Sequence, residues 1–321
     1  MKQTQISAWD GNKRRILDFA HRELSTLSFS GEINEIIEQS VREPVKSSDI
    51  IITAIQGPKL VGYMCVNKKE TVGSVVSTLV AEEPERGQIV SEMVRECYRE
   101  LVKKSPLEVI EFRSICFGKE DYISRPLASL GFMVQPQIEM ILAGTDIPQI
   151  PGLDGIIISP WREEFENEAS QVIATSDLGD LEMVRELPER EPRYRWLLEQ
   201  KETSGGKIDG SVSFMALRGN RLAGAVLAID RGGYGEILAL GCMPIPKSAE
   251  IMAKLVHSSL VGFIKKEVKT IRTTVPMFKG EEIRIFENLG LIQAFFRPDA
   301  ILLASDDAWS SLSEEIASGT P

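Results

Sequence analysis

The chain has 321 residues, of which 43% are hydrophobic and 26% charged, with a formal net charge of −10 and a pI near 5.0. This length exceeds one typical hydrophobic core and predicts about two domains. The acidic balance, without any basic tract, disfavours a nucleic-acid partner. We also expect no membrane insertion and a cytoplasmic location, because no apolar run is long enough to span a bilayer and the opening MKQTQISAWDGNKRR lacks a signal-peptide pattern.

The cysteine and histidine content argues against a metal site. The cysteines are scattered with no CxxC pair, and the two histidines lie far apart in the chain: Cys65, Cys97, Cys116, Cys242, His21 and His257. Zinc sites need such ligands at short, regular spacings. We therefore expect no bound metal and interpret the thiols as reduced and buried.

The first half of the chain alternates strand and helix patterns. Apolar residues in short or alternating runs predict strands, and apolar residues at helical spacing predict amphipathic helices. In chain order we predict a strand beginning at Ile6, helices at 12–24 and 31–43, strands at 49–57, 60–67 and 72–82, a helix at 86–104, a strand at 107–117, a helix at 123–132 and a strand at 134–144.

The second half repeats this order. We predict a strand at 156–159, helices at 163–175 and 181–200, a hairpin at 213–230, a strand at 235–243, a helix at 247–266, a strand at 270–276, a helix at 280–289 and a strand at 294–303. Each half therefore carries strand–helix–strand units near its end. This order favours a mixed α/β sheet over a doubly wound parallel sheet.

Short matching segments predict an internal repeat. ISAW and ISPW open the two halves, KLVGYMCV matches RLAGAVLA, STLVAEEP matches LALGCMP, and LASLGF matches FENLGL. The matched glycines, Gly62 with Gly224 and Gly131 with Gly290, lie 162 and 159 residues apart. Landmarks in the same order indicate two copies of one domain. The stretch GTDIPQIPGLDG interrupts the pattern, so we predict domains at 1–145 and 156–321 joined by a linker at 146–155.

This ordered set of motifs resembles the GNAT N-acetyltransferase superfamily over nearly the whole chain. It includes the glycine-containing hairpin (KLVGYM, RLAGAV), the apolar strand that leads through a proline-containing loop into a long helix (LVAEEPERGQIVSEMV, LALGCMPIPKSAEIMAKL), and the short helix before LGF or LGL. The resemblance implies a tandem repeat of two GNAT-like α/β domains with mixed sheets. It also implies acetyl-CoA as the co-substrate and an amine as the acceptor.

The resemblance places the donor site where the strand before the long helix ends. In that family the strand edge binds the pantetheine arm, and backbone N–H groups at the helix N-terminus bind the diphosphate. The corresponding positions are Leu79, Val80, Ala81, Arg86, Gly87, Gln88, Ile89 and Val90 in the first copy and Lys247, Ser248 and Ala249 in the second.

Both copies depart from the family's loop, Gln/Arg-x-x-Gly-x-Gly/Ala. The first copy keeps Arg86-Gly87, and alignment on this pair puts Pro84 at the Gln/Arg place and Ile89 at the last Gly/Ala place. Alignment by the apolar residues of the helix moves this register by one. In the second copy Ser248 and Glu250 stand at the two glycine places. Because glycines allow close backbone approach, we expect the first copy to be the better acetyl-CoA site.

The resemblance also implies a tyrosine general acid four residues before the LGF glycine, where this chain has Leu127 and Phe286. Tyr122, at the start of the same short helix, is the candidate to protonate the leaving thiolate. Glu82 and Glu83 are the candidate bases for the amine proton if partial burial raises their pKa. A half-buried tyrosine and solvated loop carboxylates are the structural alternatives for these residues.

Two other functions stay open at this stage. The two donor-binding loops depart from the family pattern, and the family's tyrosine is absent from its usual position in both copies. These departures also fit a non-catalytic ligand-binding or protein-interaction protein that retains the fold. Acyl transfer from a charged tRNA would explain the eroded diphosphate loops, but the acidic balance argues against it. The oligomeric state is open as well, and two fused domains packing as a pseudo-dimer would allow a monomer.

Overall fold

The computed structural model describes residues 4–9, 11–25, 31–82, 84–104, 106–114, 116, 121–176, 208–303 and 310. At 31–36, 104, 143 and 174 it describes the backbone alone. The predicted helix at 181–200 and the candidate base Glu83 lie outside the described residues.

The first half forms the predicted elements in the predicted order. They are β1 (Thr4–Ala8), α1 (Lys13–Leu24), α2 (Gly31–Ser47), β2 (Ile50–Gln56), β3 (Lys59–Lys69), β4 (Val72–Val80), α3 (Arg86–Lys104), β5 (Val109–Phe112), α4 (Ser124–Ser129) and β6 (Met133–Ala143). Several elements differ in length from their predicted bounds, α2 and β5 among them. Helix α2 continues through Pro44 to Ser47, and β5 is shorter than the predicted strand at 107–117, although Cys116 still forms isolated bridges to Thr78 and Phe296.

The second half repeats the order within its described residues. Its elements are β7 (Ile157–Pro160), a 3-10 turn (Glu163–Phe165), α5 (Glu166–Ser176), β8 (Phe214–Arg218), β9 (Arg221–Asp230), β10 (Gly235–Cys242), α6 (Ser248–Lys265), β11 (Thr270–Pro276), α7 (Gly280–Asn288) and β12 (Ile292–Leu303). No helix in the described ranges is both long and apolar enough to cross a membrane.

The chain divides into two compact units that exchange their final strands. The first unit comprises Met1–Gln137 and Phe295–Pro321, and the second comprises Ile138–Ala294. Because the first unit also includes the C-terminal stretch from Phe295, the units differ from the repeated segments, 1–145 and 156–321, that the sequence predicts. Those bounds stay a prediction about the repeat.

Each unit has a mixed sheet of the same design. In the first unit the strand order is β1-β2-β3-β4-β5-β12, antiparallel except for the parallel pair β4–β5. In the second it is β7-β8-β9-β10-β11-β6, with β10–β11 as the matching parallel pair. The last strand of each sheet therefore comes from the other copy of the repeat: β12 lies beside β5, and β6 lies beside β11.

The long helix packs on the sheet in the same way in both units. A Cβ added to Gly73 would lie 2.5 Å from Leu101 Cδ1, and one added to Gly235 would lie 2.6 Å from Phe263 Cε1. Both glycines are thus needed so that a large side chain of α3 or α6 can sit against the strand. The two glycines, like the two helix residues, lie 162 residues apart, so the repeat seen in the sequence is also a repeat in packing.

Candidate active site

The strand that leads to the long helix carries a β-bulge in both units. In β4 the pairing with β3 shifts so that Val76 is the extra residue, and in β10 the pairing with β9 shifts so that Leu238 is extra. A bulge bends its strand and turns its later backbone groups toward a new direction. The two bulges lie 162 residues apart, which fixes Val80 and Cys242 as equivalent positions.

Beyond each bulge, one backbone amide points away from the antiparallel neighbour. The N–H of Ala81 donates to Val61 O at 2.8 Å, and the N–H of Met243 donates to Ala223 O at 2.8 Å. Backbone groups alternate in direction along a strand, so the preceding amides, those of Val80 and Cys242, face the opposite edge. Three residues at this strand end are predicted to contact a donor. Val80 directs its backbone N–H to the edge away from β3, whereas the N–H groups of Leu79 and Ala81 face β3.

In the first unit the edge amide meets a tyrosine. The N–H of Val80 donates to the phenol oxygen of Tyr122 at 3.4 Å, which is long for a hydrogen bond to an N–H donor. Tyr122 is partly buried and packs against the core that α3 and the sheet share. The tyrosine predicted from the sequence is therefore beside the strand end where the donor site was expected.

The start of α4 holds Tyr122 in this position. The Asp121 carboxylate accepts the N–H of Ile123 at 3.0 Å and the N–H of Ser124 at 2.9 Å. Such Asx bonds fix the chain direction into a helix. Ile123, fully buried, anchors the same turn to the core. The tyrosine between these two residues is thus fixed by local sequence as well as by packing.

Two neighbours set the electrostatics of Tyr122. The guanidinium carbon of Arg86 lies 3.3 Å from the centroid of the Tyr122 ring, a cation–π contact. Burial raises the pKa of Tyr122 well above its usual range, the Cys116 thiol adds to this rise, and Arg86 opposes it. Burial also raises the pKa of Cys116 to about 12. At neutral pH both groups therefore keep their protons.

The N-terminus of α3 lies close to α4. A Cβ added to Gly87 would lie 3.4 Å from Pro126 Cγ, so the two helices approach at this glycine. The first helical hydrogen bond runs from Ile89 N–H to Glu85 O at 3.0 Å, which leaves the earlier amides of Gly87 and Gln88 outside the intrahelical ladder.

The side chains predicted around this helix start differ in exposure. Ile89 and Val90 are buried in the core, so only their backbone is near the helix start. Gln88 is exposed and donates to Glu92 at 3.0 Å. Glu82 is exposed directly after β4, and hence the partial burial that would suit it to a base is not seen there.

In the second unit the equivalent edge amide is bonded differently. The N–H of Cys242 donates to Ser176 Oγ at 3.0 Å, and the same hydroxyl lies 3.2 Å from Cys242 O and 3.1 Å from Val172 O. Helix α5 can reach this point because a Cβ on Gly241 would lie 2.8 Å from Ile173 Cα. A helix end therefore covers the strand end through a serine that the sequence analysis did not single out.

The second unit has no tyrosine at the matching place. Tyr122 lies nine residues before Gly131, and Glu281 lies nine residues before Gly290. Burial raises the pKa of Cys242 to about 11, and Glu281 adds to the rise, which indicates that the carboxylate lies near this thiol.

The predicted binding residues of the second copy form the start of α6. Lys247 is exposed and adopts a left-handed conformation with φ of 70°. The N–H of Ser248 donates to Ile245 O at 3.1 Å, and Ala249 follows in the first turn. Among the residues that the structure describes, no cluster of three or more histidine, cysteine or acidic side chains could hold a metal.

Comparisons with solved structures identify the fold. The chain superposes on a GCN5-related N-acetyltransferase from Sphaerobacter thermophilus with a TM-score of 0.59 and 15% identity, covering 94% of this chain and 95% of that one. A Drosophila protein matches with a TM-score of 0.51 and 12% identity over 94% of this chain and 99% of its own.

A third match is the GCN5-related glucosamine N-acetyltransferase region of a fungal multi-domain GH3 β-N-acetylglucosaminidase. Its TM-score is 0.51 at 9% identity, over 94% of this chain and 38% of that chain. No protein-family model and no curated protein matches the chain by sequence. The chain therefore has the fold of the GNAT N-acetyltransferases, repeated in tandem, as its motifs predict.

Proposed function

We propose that the protein is an acyltransferase that moves an acetyl group from acetyl-CoA to an amine, with the chemistry in the first unit. The observation that carries this proposal is the Tyr122 phenol at the Val80 edge amide, 3.4 Å away. It brings together a hydrogen-bond donor suited to a thioester oxygen and a proton donor suited to a leaving sulfur.

The residues present fit the thioester end of such a donor. Acetyl-CoA, when bound, supplies the activated acetyl group. The Val80 N–H would then donate to the carbonyl oxygen in place of Tyr122, a substitution made easy by the length of the present bond. Tyr122 would remain close to Val80 with its proton, because burial holds its pKa above the usual range.

The proton balance of the transfer assigns a role to each candidate. As the amine nitrogen bonds to the carbonyl carbon and the carbon–sulfur bond breaks, Tyr122 gives its proton to the sulfur. Glu82 or Glu83 takes the surplus proton of the nitrogen, directly or through water. Solvent then returns a proton to the phenolate, which the nearby Arg86 stabilises. The rest of the acceleration comes from holding amine and thioester together.

For the donor we retain the binding residues predicted from the sequence. These are Leu79, Val80, Ala81, Arg86, Gly87, Gln88, Ile89 and Val90, with Lys247, Ser248 and Ala249 as the corresponding helix start of the second unit. We also infer a cytoplasmic location, supported by four cysteines that are all buried and outside any disulfide. Such thiols are typical of a reducing compartment.

Thiol release from acetyl-CoA across a panel of amines tests the function. We expect Tyr122→Phe to lower kcat by about 100-fold, because general acid catalysis contributes roughly 10²–10⁴. The matched control is Glu281→Gln at the equivalent place in the second unit, which should leave kcat unchanged. A wild-type protein that releases no thiol with any amine would overturn the proposal.

A second candidate is a non-catalytic binding protein that retains the fold. The observation in its favour is that each edge amide is already bonded within its own unit, to Tyr122 or to Ser176. Equilibrium titration with acetyl-CoA separates the two functions. Binding without turnover supports the second candidate, and binding accompanied by amine-dependent thiol release supports the first.

A further inference from the structure

A cleft lies between the first two helices of the chain, α1 and α2, and we call it the helix cleft. Its volume is about 300 Å³, and its described lining comes from these two helices, without any residue of the sheet. It is therefore separate from the strand end where Val80 meets Tyr122. A volume of this size is at the lower end for small-ligand sites in proteins.

The floor of the helix cleft is apolar. Its apolar residues are Leu17, Ala20, Leu24 and Val41. Ala20, Leu24 and Val41 are buried, and Leu17 is half-buried. The three residues from α1 share one face of that helix because they are three or four positions apart. The floor can thus pack against the apolar body of a ligand.

The two helices run antiparallel along the cleft. The Lys13 Nζ donates to Lys46 O at 2.9 Å, which places the start of α1 beside the end of α2. Further along α1, His21 Nδ1 lies 3.4 Å from Glu38 Oε1. These two contacts fix which positions of α2 lie opposite which positions of α1.

The charged rim of the helix cleft is basic at one end and acidic at the other. Arg14 and Arg42 line the end near the start of α1, and Asp18 and Glu38 line the cleft about one helical turn further along. By the antiparallel register, the midpoint of the arginines and the midpoint of the carboxylates are about four residues apart on α1. This separation is roughly 6 Å along the helix axis.

The charged groups at the basic end lack partners. Among the residues that the structure describes, the guanidinium groups of Arg14 and Arg42 form no hydrogen bond or ion pair, and neither does the Asp18 carboxylate. Like charges at one end of a cleft repel each other, and a ligand carboxylate between the arginines relieves this repulsion. Arginine binds carboxylates through paired N–H groups. At the other end, Asp18 and Glu38 attract a cation.

We propose that the helix cleft binds a small amino-carboxylate whose two charges lie about 6 Å apart on an apolar chain. Its carboxylate binds Arg14 and Arg42, and its ammonium group binds Asp18 and Glu38. An ω-amino acid with five carbons reaches roughly this length when extended, whereas the charged groups of an α-amino acid are only about two bonds apart. The inference does not depend on the proposed acetyl transfer.

Calorimetric titration with a matched set of compounds tests this inference. The probe is 5-aminopentanoate. Its isomer 2-aminopentanoate has the same atoms with the charges adjacent, and pentanoate and pentylamine each lack one charge. We expect a Kd on the order of 1 mM for 5-aminopentanoate, because a ligand of this size in an open cleft gains little binding energy. The other compounds should bind about fivefold more weakly, since each loses an ionic contact.

Variants of the rim locate the binding. Arg42→Gln and Asp18→Asn should each raise the Kd for 5-aminopentanoate about fivefold. Arg22→Gln and Glu43→Gln, on the same helices but outside the cleft lining, are the matched controls and should leave the Kd unchanged. Thermal midpoints check that all variants fold. The inference is overturned if the wild type shows no saturable binding of 5-aminopentanoate, if 2-aminopentanoate binds equally well, or if the control variants weaken binding as much as the rim variants.

Discussion

The two units have a backbone amide at equivalent strand positions, but the side chain that accepts its hydrogen bond differs between them. Val80 and Cys242 follow equivalent bulges and equivalent glycines. In the first unit a tyrosine that lies just before the short helix α4 accepts the Val80 N–H at 3.4 Å. In the second, a serine from the end of α5 accepts the Cys242 N–H at 3.0 Å. The first partner is the proton donor of the proposed transfer, whereas the second is a hydroxyl that also lies 3.2 Å from Cys242 O.

The two units therefore share features of the fold and differ in the side chain that meets the edge amide. The bulge, the paired glycines and the packing of the long helix recur in both units. The second unit has Glu281 where the first has Tyr122, and Gly241 where the first has Leu79. That glycine admits α5 against β10. For these reasons the proposed chemistry is assigned to the first unit.

The close contact of α5 with Gly241 in the second unit should give the largest of these effects on substitution. Gly241→Leu introduces the residue that stands at the equivalent position 79. Because even a Cβ would lie 2.8 Å from Ile173 Cα, α5 must move, and we expect a loss of about 3 kcal/mol, the upper range for overpacking. Denaturant unfolding measures this loss. Gly233→Ala, which has nothing within 4 Å, is the control, and equal effects of the two changes would contradict the packing.

The serine bond of the second unit should have a smaller effect. Ser176→Ala leaves the Cys242 N–H without its partner, so we expect a loss of about 1–2 kcal/mol, the cost of an unsatisfied buried donor. Since this amide belongs to the unit without the tyrosine, thiol release from acetyl-CoA should not change. A fall in kcat beyond twofold in a folded variant would place chemistry in the second unit.

Thiol reactivity compares the units without any mutation. Burial raises the pKa of Cys242 to about 11 and those of Cys65, Cys97 and Cys116 to about 12. Because the thiolate is the reactive form, we expect Cys242 to be alkylated about tenfold faster at pH 8. Mass spectrometry after timed labelling gives the order. Faster labelling of Cys116 would indicate that the buried region around Cys116 and Tyr122 opens readily.

The smallest expected effect is the pH response of the first unit. An unperturbed tyrosine is half deprotonated at about pH 10. The pKa of Tyr122 lies higher in the folded protein, so the proton-donating form persists as the pH rises. We expect kcat between pH 7 and 10 to show no alkaline decline. A decline with an apparent pKa below 10, absent in Tyr122→Phe, would contradict burial of the phenol during turnover.

Much of the fold follows from local patterns. Hydrophobic periodicity predicts the type and order of the described elements, and the spacing of Gly62 and Gly224 predicts the repeat. The exchange of β6 and β12 was not predictable, because the final strands of both copies carry similar apolar runs. Nothing in such a run specifies which of two equivalent sheets it joins.

The candidate site was predictable in part. Tyr122, Val80 and Arg86 all follow from the motifs near the expected donor site. The contact of Arg86 with the Tyr122 ring does not, because the motif associates this arginine with a diphosphate. Ser176 carries no motif, and only its hydrogen bond with the Cys242 N–H identifies it.

By itself the sequence determined the order of elements, the duplication and the strand ends near which chemistry is expected, since these depend on spacings of a few residues. The tertiary structure alone decided which side chain bonds each edge amide. Those bonds join residues that are 42 positions apart in the first unit and 66 in the second. At such separations the packing of helices on the sheet determines the hydrogen-bond partner, and local hydrophobic periodicity does not predict it.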